Sequence, residues 1–187
     1  MIPKIIVHLL SGGLDSVTML YDLKQQGHLI HCLLIDYKQS HAQELVFAKG
    51  HCHRLGVLYT TIELPPLGGL DDQSWVVPNR NCIFLSLAVN LAVQAKADTV
   101  TIGCNKDDES GFPDCRMEFL RSFNSMLAAS EVPVEVCAPY LDKPKAWIGG
   151  MSRELGVPAG EIWTCYRGGS EPCGKCPACE KLKAAML

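Results

Sequence analysis

The chain has 187 residues, enough for one buried core, and is 48% hydrophobic and 20% charged, the balance of an ordinary globular domain. Lys and Arg number 17 against 20 Asp and Glu, and the formal charge of −3 argues against a protein living on nucleic-acid phosphates. No apolar run approaches a membrane span and the first is too short for a signal peptide. A cytoplasmic protein is expected, and its ten cysteines read as reduced thiols or metal ligands.

The apolar run at 5–10 predicts a first strand, and it feeds Ser11-Gly12-Gly13-Leu14-Asp15-Ser16. Val17, Met19, Leu20 and Leu23 follow at helical spacing and predict a helix over 16–26. A strand, a glycine turn and a helix start together make an anion site. The glycines let backbone approach an oxyanion, and the free N–H groups of the first helical turn point at it. Ser11 and Ser16 add hydroxyl donors, and Ser16 is placed to cap the helix. The loop lacks the lysine of the mononucleotide P-loop and the glycine spacing of dinucleotide folds. Ser-Gly-Gly-x-Asp-Ser after an N-terminal strand resembles the PP-loop of the N-type ATP pyrophosphatases. That resemblance implies an adenine nucleotide alpha hydrolase-like fold in which Leu10 and residues 11–16 bind ATP. The loop would grip the β,γ-pyrophosphate during attack at the α-phosphorus, with Mg²⁺ neutralising the leaving group.

Further along, strands are expected at 29–35, 58–63, 99–103 and 134–138, and helices at 42–55, 81–95, 116–129 and 143–155. The strands are nearly continuous apolar runs, as in a parallel sheet covered on both faces. Gly27 and Gly56 fit helix C-caps. The fold class is therefore α/β, doubly wound around a mostly parallel five-stranded sheet, with ligands expected beyond the carboxyl ends of the strands. Residues 64–80 and 104–115 form loops on that side. From Pro158 the composition shifts to Gly, Pro and Cys. Residues 1–157 are expected to form the α/β domain and 158–187 a small appendage packed on it.

Cys165, Cys173, Cys176 and Cys179 have the spacing C-x7-C-x2-C-x2-C. Four thiolates on short turns satisfy a structural Zn²⁺, and also suit an iron–sulfur cluster. Cys32, Cys52, Cys82, Cys104 and Cys137 lie in or beside apolar runs and read as small core residues, while Cys115 sits in a polar stretch. None is expected to be catalytic.

Five blocks now read together: Ser-Gly-Gly-Leu-Asp-Ser at 11–16, Asp-Tyr-Lys-Gln-Ser-His-Ala-Gln-Glu at 36–44, Val-Pro-Asn-Arg-Asn-Cys-Ile-Phe-Leu-Ser at 77–86, Asp-Glu-Ser-Gly-Phe-Pro-Asp-Cys-Arg-Met-Glu-Phe at 108–119, and Trp-Thr-Cys-Tyr-Arg-Gly at 163–168 with its Cys-Gly-Lys-Cys-Pro-Ala-Cys tail. In this order, over essentially the whole chain, they resemble the 7-cyano-7-deazaguanine synthase (QueC) family. The resemblance implies an ATP-dependent ligase, a homodimer without nucleic-acid or membrane partners. It would convert 7-carboxy-7-deazaguanine and ammonia to the nitrile through an adenylated carboxylate, an amide and a second activation, for queuosine biosynthesis. It makes Asp15, Ser16 and Lys143 the catalytic candidates: Asp15 orients Mg²⁺ or holds the loop, and Lys143 steadies charge on the α-phosphate or is a solvated lysine. Asp114 is the candidate acceptor for the two adjacent N–H donors of the base, with Asp107 and Asp108 as rivals. Phe112 would stack on the base beside backbone of Ser110 and Gly111. Arg80 and Asn81 would bind the substrate carboxylate or a phosphate, Asn81 reading equally as a helix cap. His41 reads as a base for ammonia or a structural histidine.

The chain departs from the family pattern at Ser40 and Leu182, where Arg is usual, and at Asn79, where Gly is usual. Its segment between Glu63 and Val77 is shorter than usual, and its terminal helix stops early, at Leu187. These departures keep open an enzyme that stops at the amide or adenylates another carboxylate. A tRNA-thiolating PP-loop enzyme and a non-catalytic, zinc-stabilised binding module are the remaining alternatives.

Overall fold

A computed structural model describes residues 2–68 and 76–186; part of the short segment after Glu63, and Leu187, lie outside the described residues. Strands β1 (Ile5–Leu9), β2 (Leu29–Asp36), β3 (Leu58–Glu63), β4 (Thr99–Thr101) and β5 (Glu135–Cys137) form one parallel sheet in the order β3-β2-β1-β4-β5. Helices α1 (Leu14–Gln25), α2 (Glu44–Leu55), α3 (Arg80–Gln94), α4 (Met117–Ala129) and α5 (Lys145–Glu154) alternate with the strands, and α6 (Pro177–Met186) closes the chain. The doubly wound expectation holds, and every pairing is parallel.

The apolar strands follow from burial on both faces. Along β2, Cys32 and Leu34 enter a core shared with Val17 and Leu20 of α1, Ala48 of α2 and Ile148 of α5. Leu33 and Ile35, one residue out of phase, enter the opposite core with Leu85 and Ala88 of α3 and Phe123 of α4. His8 in β1 is the polar exception. Its ring is fully buried, with Nδ1 2.8 Å from the Thr101 hydroxyl and Nε2 2.9 Å from the Ser16 carbonyl. Burial lowers its pKa to about 4, so a neutral imidazole ties β1, β4 and the start of α1 together.

Helix starts differ from expectation by one or two residues. The first helix begins at Leu14 with Gly13 as its cap, so Ser16 lies inside the first turn instead of capping it. The third begins at Arg80, and the cap is Asn79 in the left-handed conformation, not Asn81. Gly56 caps α2 at φ +59°, as expected. Strand order reverses between β1 and β4, so the crevice of the sheet opens above their carboxyl ends. Among the described residues no helix is long and apolar enough to cross a membrane.

Candidate active site

A cleft of about 260 Å³ opens at that crevice. Its floor is the loop after β1. Gly12 has φ +94°, and a Cβ there would run into the Glu44 carbonyl, so only glycine lets the loop pass under α2. Gly103 plays the matching role after β4: a Cβ would stand 3.0 Å from the Ser16 nitrogen. The Ser11 and Ser16 hydroxyls are 3.1 Å apart, and Ser16 Oγ donates to the Gly13 carbonyl at 3.2 Å. As the first residues of α1, Leu14, Asp15 and Ser16 carry N–H groups with no intrahelical acceptor, aimed at the cleft end of the helix.

The first charged group in the cleft centres on Asp15. Lys145, the first residue of α5, brings Nζ to 2.6 Å from Asp15 Oδ2. Asn105, wholly buried after β4, donates from Nδ2 to Asp15 Oδ2 at 2.9 Å and to Asp108 Oδ2 at 2.6 Å. Both amide hydrogens are thereby used, and its Oδ1 accepts from the Asp107 N–H at 2.8 Å. Burial opposes the charge on Lys145, but Asp15 and Asp108 outweigh it and raise its pKa. Burial raises that of Asp108.

Lys143, expected at this centre, lies outside it. Its Nζ pairs with exposed Asp142 at 3.0 Å and rides over the Trp147 ring, and it does not line the cleft. The lysine paired with Asp15 is Lys145. Asp107 is also displaced: its Oδ2 accepts from the Lys145 N–H at 2.9 Å, capping α5, and with Ser110 it faces an outer groove. Gly111 lines neither. Asp114 is taken up at the start of α3, where its Oδ2 accepts from the Asn81 N–H at 3.3 Å. Of the three acids, Asp108 lines the cleft. Phe112, Arg80 and Asn81 also line it. Asn81 donates from Nδ2 to the Asp114 carbonyl at 3.2 Å, and Arg80 Nη1 lies 3.3 Å from the Tyr37 hydroxyl. Cys104 and Cys115 line the cleft as well as the core, and the hydrogen bond between their sulfurs, with burial, holds the Cys104 thiol well above the usual thiol range.

The second charged group involves α2. Glu44 lines the cleft with Tyr37, His41, Phe84 and Tyr166. Burial pushes its carboxyl up to about 8, against the lowering effects of Gln39 and Arg80. Burial, helped by Arg80, lowers His41 to about 4. The two stand 3.6 Å apart and are both mainly neutral near pH 7, so they form no ion pair there.

The remaining wall comes from the cysteine-rich segment. The Trp163 N–H donates to the Gly12 carbonyl at 3.0 Å, and Thr164, Tyr166 and Lys181 line the cleft. Ser40 donates from Oγ to the Tyr166 carbonyl at 2.9 Å. The sulfurs of Cys165, Cys173, Cys176 and Cys179 all lie within 4.8 Å of one another. A tetrahedral metal with bonds of about 2.3 Å needs sulfurs about 3.8 Å apart, so the donor set fits a metal with small adjustment. The Cys173 N–H donates to Cys165 Sγ at 3.3 Å, and backbone N–H groups of Lys175 and Cys176 favour the Cys173 thiolate.

A parallel sheet with this glycine loop at its switch point belongs to the PP-loop class of α/β folds. NMN synthetase from Francisella tularensis superposes with a TM-score of 0.63 at 13% identity, over 98% of this chain and 83% of that one. The U34-tRNA thiolase NcsA from Methanococcus maripaludis, solved with its [4Fe-4S] cluster, gives 0.60 at 16% identity over 97% and 63%. At such identities the likeness is one of fold. The family is shown by sequence: the model described as queuosine biosynthesis protein QueC matches residues 5–76 and 70–187, and the chain belongs to that family. The 7-cyano-7-deazaguanine synthase of Hahella chejuensis is 39% identical over 98% of this chain and 89% of its own length. That of Caldicellulosiruptor saccharolyticus is 38% identical over 95% and 89%. The family is thus one of synthases.

Proposed function

We propose that the protein makes 7-cyano-7-deazaguanine from 7-carboxy-7-deazaguanine and ammonia, using ATP for both activations. The carboxylate oxygen attacks the α-phosphorus and pyrophosphate leaves; ammonia displaces AMP to give the amide. The amide oxygen attacks a second ATP, and loss of AMP and two protons leaves the nitrile. The observation that carries this reading is the glycine loop with Lys145 held against Asp15 at the switch point.

The free N–H groups at 14–16 and the Ser11 and Ser16 hydroxyls suit the departing pyrophosphate. Lys145 suits charge growing at the α-phosphate. Asp108 replaces Asp114 as our candidate for the two N–H donors of the base, with Phe112 alongside. Asp15 Oδ1 is buried without a hydrogen-bond partner, the state of a ligand atom awaiting a cation. Asp15 would hold Mg²⁺, which supplies charge neutralisation of the pyrophosphate. The four cysteines would hold Zn²⁺, which supplies structural cross-linking alone.

The thiolase alternative needs a catalytic cysteine pair beside the nucleotide loop and a basic face for RNA; Cys104 and Cys115 line the cleft, but the formal charge of −3 disfavours an RNA partner. Incubation with Mg-ATP, ammonium and the carboxylate, followed by mass spectrometry, tests the proposal. Nitrile and AMP are expected. Amide alone supports the enzyme that stops early, and no AMP overturns both.

A further inference from the structure

Glu44 is an acid that the function proposed above leaves unused. It opens α2, lines the cleft beside the loop, and receives no Lys or Arg ion pair among the described residues. A buried acid without a cation partner costs stability. Its orientation is nevertheless fixed. Gln39 Oε1 accepts from the Tyr37 N–H at 2.9 Å, so the Gln39 amide turns its NH₂ to Glu44 Oε1, 3.1 Å away. Oε2 has no hydrogen-bond partner among the described residues and is not sealed from the cleft. The groups facing the carboxyl are His41 and Gln39 before α2, Tyr37 after β2 and Arg80 at the start of α3, with Tyr166 elsewhere on the cleft wall. Arg80 is engaged by the Tyr37 hydroxyl at 3.3 Å.

Ammonia near neutral pH is mostly ammonium, which has no lone pair to offer. The nitrogen must lose one proton before it attacks, a second as the amide forms, and two more when the activated amide becomes a nitrile. We propose that Glu44 is the base that serves this nitrogen in both halves of the reaction, an inference resting on the function proposed above. In the first half the carboxylate form of Glu44, the minority near pH 7, takes a proton from ammonium, giving ammonia and the neutral acid; ammonia adds to the acyl adenylate, the adduct gives up one proton to water, and AMP leaves. In the second, the C–O bond to AMP breaks, its electron pair leaves with the phosphate, and the C≡N bond forms as the nitrogen gives up two protons. One goes to Glu44 and the other to water. An acid held near 8 can accept such a proton and return it to solvent between halves, whereas His41 near 4 is too weak a base.

The test uses full-length Glu44→Gln, which keeps the shape and the bond to Gln39. Carboxylate-dependent exchange of labelled pyrophosphate into ATP should stay within about twofold of wild type. Nitrile formation from ammonium, and from supplied amide, should fall by ~10²-fold or more. Hydroxylamine, already uncharged at neutral pH, should still be converted to the hydroxamate within a fewfold of wild type. The proposal is overturned by a hydroxamate yield that falls with the nitrile, by a nitrile rate that survives, or by loss of exchange. If wild type itself shows no carboxylate-dependent exchange, the function proposed above fails, and this proposal with it.

Discussion

Replacing Lys145 by Met separates the two lysines that flank Pro144. Lys145 Nζ sits 2.6 Å from Asp15 Oδ2, and the two side chains are only 19% and 12% exposed. Removing one partner of a buried pair costs about 3–5 kcal/mol, and the remaining solvent access puts this pair near 3. With an unfolding entropy of ~2.1 cal/mol/K per residue, that is a melting shift of about 8 °C, which a domain stable by about 5–15 kcal/mol survives. The catalytic loss is separate. A preorganised charge facing a developing oxyanion contributes about 3–4 kcal/mol, so pyrophosphate exchange should fall by ~10²–10³. Lys143→Ala is the control: its side chain is 37% exposed and paired with an exposed acid, so exchange should stay within about twofold and stability within about 0.5 kcal/mol. Exchange that survives Lys145→Met, or falls equally in Lys143→Ala, refutes the assignment.

Three further outcomes are expected. Gly12→Ala should lose about 2 kcal/mol or more in urea titrations and most nucleotide binding, because both φ +94° and the Glu44 carbonyl oppose a Cβ; Gly27→Ala, at φ +83° with open space around it, should lose about 1 kcal/mol. Equal losses would show that the close approach does not matter. Stripping the metal from the four cysteines should red-shift Trp163 emission and weaken ATP binding together; unchanged affinity in metal-free protein would uncouple the two. Glu44 has its pKa raised from 4.5 to about 8, so between those values the folded state holds the extra proton and wild-type stability falls as pH rises. The bound is about 5 kcal/mol, from 3.5 pH units at ~1.36 each, reduced by water in the open cleft. Glu44→Gln should therefore match wild type in thermal melts at pH 5 and exceed it at pH 9, and a constant difference would contradict the shift.

The sheet was legible because both of its faces are buried, which leaves unbroken apolar runs, and the loop because strand, glycines and helix adjoin in sequence. The lysine was misjudged through helix phase. Lys145, Ile148 and Ser152 recur at the spacing of one helix face, and the latter two are buried, so Lys145 shares the inward face and Lys143, before Pro144, does not. Glu44 carried the same signal, standing four and eight residues before buried Ala48 and Cys52. Asn105 carried none: a lone Asn after a strand reads as a turn, and its two carboxylate partners arrive from α1 and from the next turn. The choice among Asp107, Asp108 and Asp114 depends on which helix starts need a cap, a tertiary fact. Asn79 is explained by its φ of +61°, since Asn is among the few residues other than Gly that tolerate this region.

The four-cysteine segment takes on a second role in light of what it builds. Residues 158–176 contain no regular element beyond one short 3₁₀ turn; Ile162 enters the core under α1 and α2 and the Glu161 carbonyl meets His51, but beyond Ile162 their packing is a small cluster of Trp163, Cys165, Cys176, Ala178 and Cys179 with Phe47 and Tyr166 at its edge. So little apolar contact offsets little of the entropy of ordering nearly twenty residues. Yet Trp163 holds the carbonyl of Gly12, Tyr166 faces His41, and Lys181 follows the last ligand by two residues. A metal joining the four sulfurs closes the loops between them and offsets that entropy at one point. With the metal proposed above in place, the wall over the glycine loop would stand on coordination at Cys165, Cys173, Cys176 and Cys179 as well as on its small apolar cluster, which would make that metal part of the proposed nucleotide site.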